Sequence, residues 1–303
     1  MRHLCFAATL GAALAVAPRV SPAQTVPGRD LYDFAIGALG EAPALAIEAA
    51  GGLYNPAATL LAPTGRIRGS VTHLNAPGDR GLSGEVIGLE WRQTPKRAFA
   101  ITVARAGVSD IPRTDDTPTA VGSPVVYDSY LVSAGASQRV LRHLAVGAAL
   151  RYRVGRLDTA SASTAGADAG VVVDGLLGRR DLRLGASTFL WRPGADRDDR
   201  PLTSLGADAR VAGRAVAREV RVGASYLGSR GGEHEGYGYV SARLRNVEGR
   251  AGLARAARGG EADTRTRLGL GLRYAGLLVG VARDESASGF GSIYQITLSS
   301  IFK

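Results

Sequence analysis

Few residues in this chain have the types and spacing that chemistry requires. The histidines are His3, His73, His143 and His234, and no two stand at metal-ligand spacing. A serine hydrolase needs Ser, His and an orienting polar group brought together. Serines lie on other segments than His73 and His143, but no local signature marks a dyad. Gly269-Leu270-Gly271 lacks the third glycine of a dinucleotide loop and runs within a strand-like stretch. No phosphate-binding Gly-x-x-x-x-Gly-Lys-Ser/Thr occurs. Asp115-Asp116 is either a cation site or a solvated loop tip. The one cysteine, Cys5, lies in the first few residues. These residues point to no catalytic or metal site, no cofactor and no enzyme.

The chemistry that remains belongs to arginine. Lys+Arg number 37 against 27 Asp+Glu, a net charge of +10, and only Lys96 and Lys303 are lysines. The arginines are scattered rather than clustered, which speaks against nucleic acid. They would bias a pore toward anions, pair with lipopolysaccharide phosphates, or simply reflect codon bias.

What positions them follows from composition and period. The chain has 303 residues, 45% of them hydrophobic and 21% charged, with 41 glycines. That excludes a disordered chain, and no Gly-X-Y period supports collagen. Beyond residue 24 no apolar run approaches the roughly 18 residues of a spanning helix. Met1-Arg2-His3, the apolar stretch from Leu4 to Ala17 and the small residues Ser21-Pro22-Ala23 form a signal peptide with cleavage expected after Ala23. Cleavage removes Arg2, Arg19 and no acid, lowering the net charge from +10 to +8, and it also removes Cys5. The mature chain then has no disulfide.

The remainder alternates with a period of two, the period of a strand with two different faces. Leu144, Val146, Ala148, Leu150, Tyr152 and Val154 share one face, against Ala145, Gly147, Ala149, Arg151 and Arg153. Leu268, Leu270, Leu272 and Tyr274 oppose Arg267, Gly269, Gly271 and Arg273. The same pattern recurs in 180–190 and 219–226. About fourteen strands are expected, roughly at 65–75, 81–92, 97–106, 126–137, 143–156, 165–175, 181–191, 202–212, 217–228, 236–246, 248–257, 263–274, 277–284 and 291–302. The eleventh is the weakest, with only Ala251 and Leu253 on its apolar face.

Connections alternate in length. Those at 93–96, 139–142, 176–180, 213–216 and 275–276 are short. Those at 107–125, 157–164, 191–201, 229–235 and 285–290 are mostly longer and richer in Asp, Pro, Gly and Ser. Short periplasmic turns and longer external loops mark outer-membrane barrels. In lipid, only a closed barrel pairs every strand edge. The fold expected is therefore all-β, a transmembrane antiparallel up-and-down barrel. The lumen-facing candidates are Arg151, Arg153, Asp168, Asp174, Arg183, Asp208, Arg210, Arg221, Arg243, Arg245, Arg267 and Arg273, with glycines on that face leaving room for arginine. Trp91, Trp191, Tyr274 and Tyr294 suit interfacial girdles. A soluble secreted sandwich or solenoid is the alternative, but it has no reason to show the alternating loop lengths.

Tyr294, Ile296, Leu298, Ser300 and Phe302 alternate to the end of the chain. This resembles the carboxy-terminal signal read by the barrel assembly machinery, except that Lys303 follows the aromatic. Upstream, residues 28–64 are Ala-rich, with Ala35, Leu39, Ala42, Leu45, Ala46 and Ala49 at helical spacings that Pro43 and glycines break into short pieces. Then comes Gly51-Gly52-Leu53-Tyr54-Asn55-Pro56-Ala57-Ala58. The Asn55-Pro56-Ala57 step before the first strand resembles FadL-type outer-membrane transporters and their PorV/PorQ-like relatives, although Asn-Pro also simply favours a turn. Gly166-Ala167-Asp168-Ala169-Gly170 followed by Leu182-Arg183-Leu184-Gly185 resembles a hairpin of the PorV-like branch. The resemblance implies fourteen strands with an N-terminal segment plugging the lumen. The chain is shorter than typical fatty-acid transporters, so a long external capture region is not expected.

The expected organisation is a signal peptide (1–23), an N-terminal plug or periplasmic segment (24–64) and an outer-membrane barrel (65–303). The leading functional expectation is passive passage of small hydrophobic molecules. The alternatives are an accessory barrel that shuttles or docks secreted proteins, and an anion-preferring porin. The expected partners are outer-membrane lipid, the assembly machinery, a small hydrophobic or anionic solute and, on the accessory reading, a secreted protein. No nucleic acid is expected.

Overall fold

A computed structural model describes residues 26–33, 35–38, 40–47, 52–62, 66–76, 81–113, 122–177, 181–192, 201–215, 218–229, 234–258, 261–285 and 292–302. The signal segment 1–23 and the acidic pair at 115–116 lie outside the described residues.

The strands are β1 (Ile67–Asn75), β2 (Leu82–Thr94), β3 (Arg97–Ile111), β4 (Val125–Leu141), β5 (Leu144–Leu157), β6 (Ala160–Leu176), β7 (Leu182–Trp191), β8 (Leu202–Ala215), β9 (Arg218–Ser229), β10 (His234–Leu244), β11 (Val247–Arg258), β12 (Glu261–Tyr274), β13 (Leu277–Glu285) and β14 (Ser292–Phe302). Each pairs antiparallel with its sequence neighbour, and β1 closes the barrel on β14 with Ile67 opposite Phe302. Closure leaves no free edge, so each strand is paired on both sides.

The alternation read from the sequence decides which face points out. One lateral row runs through Leu244, Val247, Leu272, Val279, Leu298, Val71, Ile87, Val103, Val132 and Tyr152, from β10 through β14 and β1 to β5. Every one of these apolar side chains is exposed on the outside. Trp91, Trp191, Tyr274 and Tyr294 are exposed too, and Trp91 stacks on Phe99 at 5.6 Å. On β14, Tyr294, Ile296, Leu298 and Phe302 all face outward.

Three expectations need correction. The connection expected to be long at 157–164 is only the Asp158-Thr159 turn, because β5 and β6 run on past it. Asp158 takes φ 54°, a left-handed conformation that short polar side chains tolerate. Arg245 is not a lumen residue. It is exposed in the tight turn between β10 and β11, also at positive φ. The Ala-rich segment forms no α-helix among its described residues. It makes short 3-10 turns at Asp30–Asp33, Pro43–Leu45 and Pro56–Leu61.

Those described residues fill the inside of the barrel. Leu31, Tyr32, Ile36, Leu53 and Tyr54 pack with the wall residues Leu74, Val86, Leu131, Phe189 and Leu202 in one apolar cluster. The cluster lies toward the end with the longer connections.

Candidate functional site

The site is the lumen and the segment that occupies it. Asn55 is its hinge point. It is fully buried and caps the 3-10 turn Pro56–Leu61, accepting from the Ala57 amide at 3.0 Å. Pro56 has no N–H to lose at the first position of the turn. The Asn55 amide nitrogen donates to Ala44 O at 2.8 Å and to Val171 O on β6 at 3.2 Å. One side chain thus joins two parts of the inner segment to the wall.

Wall side chains complete the attachment through backbone carbonyls. Arg153 donates to Pro27 O at 2.7 Å and Arg250 to Gly40 O at 2.8 Å. Arg92 donates to Thr59 O and Ala62 O, and Arg151 to Leu53 O. Ser187 donates to Tyr54 O at 2.5 Å. A guanidinium suits this work because its donors lie in a fixed planar fork.

Several inner glycines serve the same contact, a role beyond the room they were expected to leave for arginine. A Cβ at Gly147 would lie 2.6 Å from the Ala57 nitrogen, and one at Gly185 would lie 2.6 Å from Ala44 O. Gly155 abuts Pro27 and Gly170 abuts Asn55.

Apart from Arg245, the sequence-derived lumen residues are partnered inside. Arg151 pairs with Asp168, both buried. Asp208 accepts from Arg183 at 2.5 Å and Arg221 at 2.6 Å, and Tyr239 donates to it at 3.0 Å. Arg210 lies 3.5 Å from Asp181. Arg243 binds Glu248 at 2.5 Å, with Arg273 at 3.6 Å from the same carboxylate. Arg267 pairs with Glu235 at 2.6 Å and Asp284 at 2.8 Å, and Arg139 holds Asp174 at 2.7 Å. Sequence reasoning missed Arg92, Arg250, Arg265, Glu235, Glu248 and Asp284. Extending the period of two through β2, β10, β11, β12 and β13 would have placed each on the inner face.

β7 carries an irregularity that shapes the lumen. Ala167 pairs with Trp191 and Ala169 with Thr188, so Phe189 and Leu190 together oppose Asp168. This is a β-bulge, in which an extra residue re-aims the side chains. Both Phe189 and Leu190 are buried, Leu190 has φ 57°, and its amide donates to the Asp168 carboxylate at 2.8 Å. The bulge brings the Phe189 ring 5.1 Å from Tyr54 and 5.9 Å from Tyr32, with the Arg151 guanidinium 4.2 Å above it. Burial pushes the Tyr32 hydroxyl pKa up, so that ring stays neutral.

Below this apolar region, toward the short-turn end, lies a cavity of about 370 Å³. Ala42, Leu45, Ile47 and Leu61 of the inner segment form one side. The wall supplies Arg183, Arg221, Arg243, Arg250 and Arg273 beside Asp181, Asp208, Glu219 and Glu248, with Glu41 from the segment. Cations and carboxylates balance, so the lining has no strong preference for either ion. Among the described residues no cluster of three or more His, Cys, Asp or Glu side chains could hold a metal ion.

The fold is similar to that of the toluene transporter TodX of Pseudomonas putida, with a TM-score of 0.56 at 11% identity over 88% of this chain and 96% of that one. It is equally similar to the monoaromatic hydrocarbon channel CymD, with a TM-score of 0.56 at 12% identity over 88% of this chain and 98% of that one. At such identities the likeness is one of fold. No protein-family model matches the chain, and no curated protein matches it in sequence.

Proposed function

We propose that this barrel is an outer-membrane channel for passive entry of small hydrophobic molecules, with the N-terminal segment as its gate. The observation that carries the reading is the lumen itself. Its outer half is an apolar cluster around Tyr32, Tyr54 and Phe189, and its inner half opens into the 370 Å³ cavity. The continuous apolar row on the outside supports insertion in a membrane. The short-turn end, which carries both Ile67 and Phe302, faces the periplasm on this reading. The FadL-type resemblance in sequence and the two hydrocarbon channels of similar fold support the substrate class. No energy source and no cofactor enter the scheme. A solute partitions among the aromatic rings, the inner segment shifts, and the solute leaves through the cavity.

An anion-preferring pore draws less support, because the inner arginines are occupied by carboxylates and carbonyls. Cells with an intact outer membrane separate the readings. Expression of the chain should speed uptake of labelled toluene and leave hydrolysis of an anionic hydrophilic β-lactam by a periplasmic enzyme unchanged. Faster β-lactam entry would favour a general pore. No change in either solute would overturn the channel reading.

A further inference from the structure

The short-turn end carries a ring of positive charge without carboxylate partners among the described residues, in which Arg97 is hydrogen-bonded only to Gln138 at 2.9 Å. Arg66, Lys96, Arg97, Arg142, Arg218 and Arg245 are all exposed there. They stand before β1, between β2 and β3, at the start of β3, between β4 and β5, at the start of β9 and between β10 and β11. Among the described residues none of the six makes an ion pair. The carboxylates nearest this end point inward and are engaged: Glu90 by Arg68, Asp174 by Arg139, Asp181 by Arg221 and Glu248 by Arg243. At the opposite end Arg105, Arg113 and Arg283 sit against Asp128, Asp158 and Glu285, while Arg156 and Arg255 are exposed there without an ion pair among the described residues.

We infer that this ring binds the anionic phospholipid headgroups of the membrane leaflet on the short-turn side. The inference rests on the outer-membrane reading above. Two features select lipid over a protein partner. The cations are spread around the circumference, and a protein would need them gathered in one patch. They also lie directly beyond exposed apolar residues at the same strand ends, such as Leu141 at 65%, Leu244 at 62% and Phe302 at 55% exposure. Phosphates of a leaflet occupy that boundary, where each nearby basic residue adds attraction to an anionic surface. Because the ring is solvent-exposed, the attraction should be screened by salt.

The test uses the refolded full chain in phosphatidylcholine vesicles containing trace spin-labelled lipid. Closure of the barrel is checked first by heat-modifiable gel migration. The motionally restricted component of the spectrum reports lipid held at the protein surface. Labelled phosphatidylglycerol should associate about threefold or more above labelled phosphatidylcholine at low salt, and the excess should fade by roughly 1 M salt. Replacing all six cations by Gln should abolish the excess. If that variant does not close, the salt series on the unaltered protein decides. Equal association of the two lipids at low salt would overturn the inference while leaving the channel reading intact. A closed barrel with no restricted component for either lipid would overturn the membrane reading and this inference with it.

Discussion

Gly170 on the inner wall faces Asn55 of the inner segment with no space between them for a Cβ atom. The contact is possible because position 170 has no side chain, and it lets the Asn55 amide reach Val171 O. Gly170→Val should therefore push the segment off the wall while leaving the outward face of β6 untouched. Protease should cut the segment faster in the variant than in the unaltered protein, with the barrel still heat-modifiable. Equal cutting rates would show that the wall yields instead.

Asn55→Ala removes the cap to Ala57 and both donated bonds, and leaves Ala44 O and Val171 O short of a donor. Buried groups stripped of a partner cost about 1–3 kcal/mol each. Loss of protection of the segment, followed by hydrogen exchange at 53–58, is the expected result. Asn55→Asp keeps the cap but sets a buried carboxylate oxygen against Ala44 O and Val171 O, so it should loosen the segment at least as much as Asn55→Ala.

Leu270 is 56% exposed on the outside of β12, and Gly271 faces inward. Leu270→Arg should cost about 2–4 kcal/mol near the membrane midplane, read by equilibrium unfolding from vesicles. Gly271→Ala should cost far less, since its nearest neighbour would be Leu278 at an ordinary 3.5 Å. A reversal of the two would mean the register is slipped by one residue, which exchanges the faces.

Phe189→Ala deletes the ring on which Tyr32, Tyr54 and Arg151 converge. Toluene uptake should drop several-fold if the aromatic cluster receives the solute, while Phe189→Leu keeps most of it. Uptake unaffected by either substitution would move the solute path elsewhere in the lumen.

The strands were legible because two faces in different solvents impose a period of two, and this period survives even in β11, where Ala251 and Leu253 are the only strong cue. The inner segment was less legible. Three-residue 3-10 turns such as Pro43–Leu45 have no period long enough to read, so small residues at helical spacing suggested helix. The roles of Gly147, Gly155, Gly170 and Gly185 depend on where that segment lies, which no local pattern records. The Phe189–Leu190 bulge escaped for a related reason: it breaks the alternation at the point where the Asp168 carboxylate takes a backbone bond. The arginines other than Arg245 lie on the strands expected, but their partners come from distant strands and from carbonyls of the segment.

On the proposed function the inner segment closes the lumen. Planar-bilayer recording of the full chain and of a variant lacking residues 28–50, both shown by heat-modifiable migration to be closed barrels, tests it directly. A low conductance for the full chain and a large, stable increase for the variant are expected. An unchanged conductance in the closed variant would contradict it.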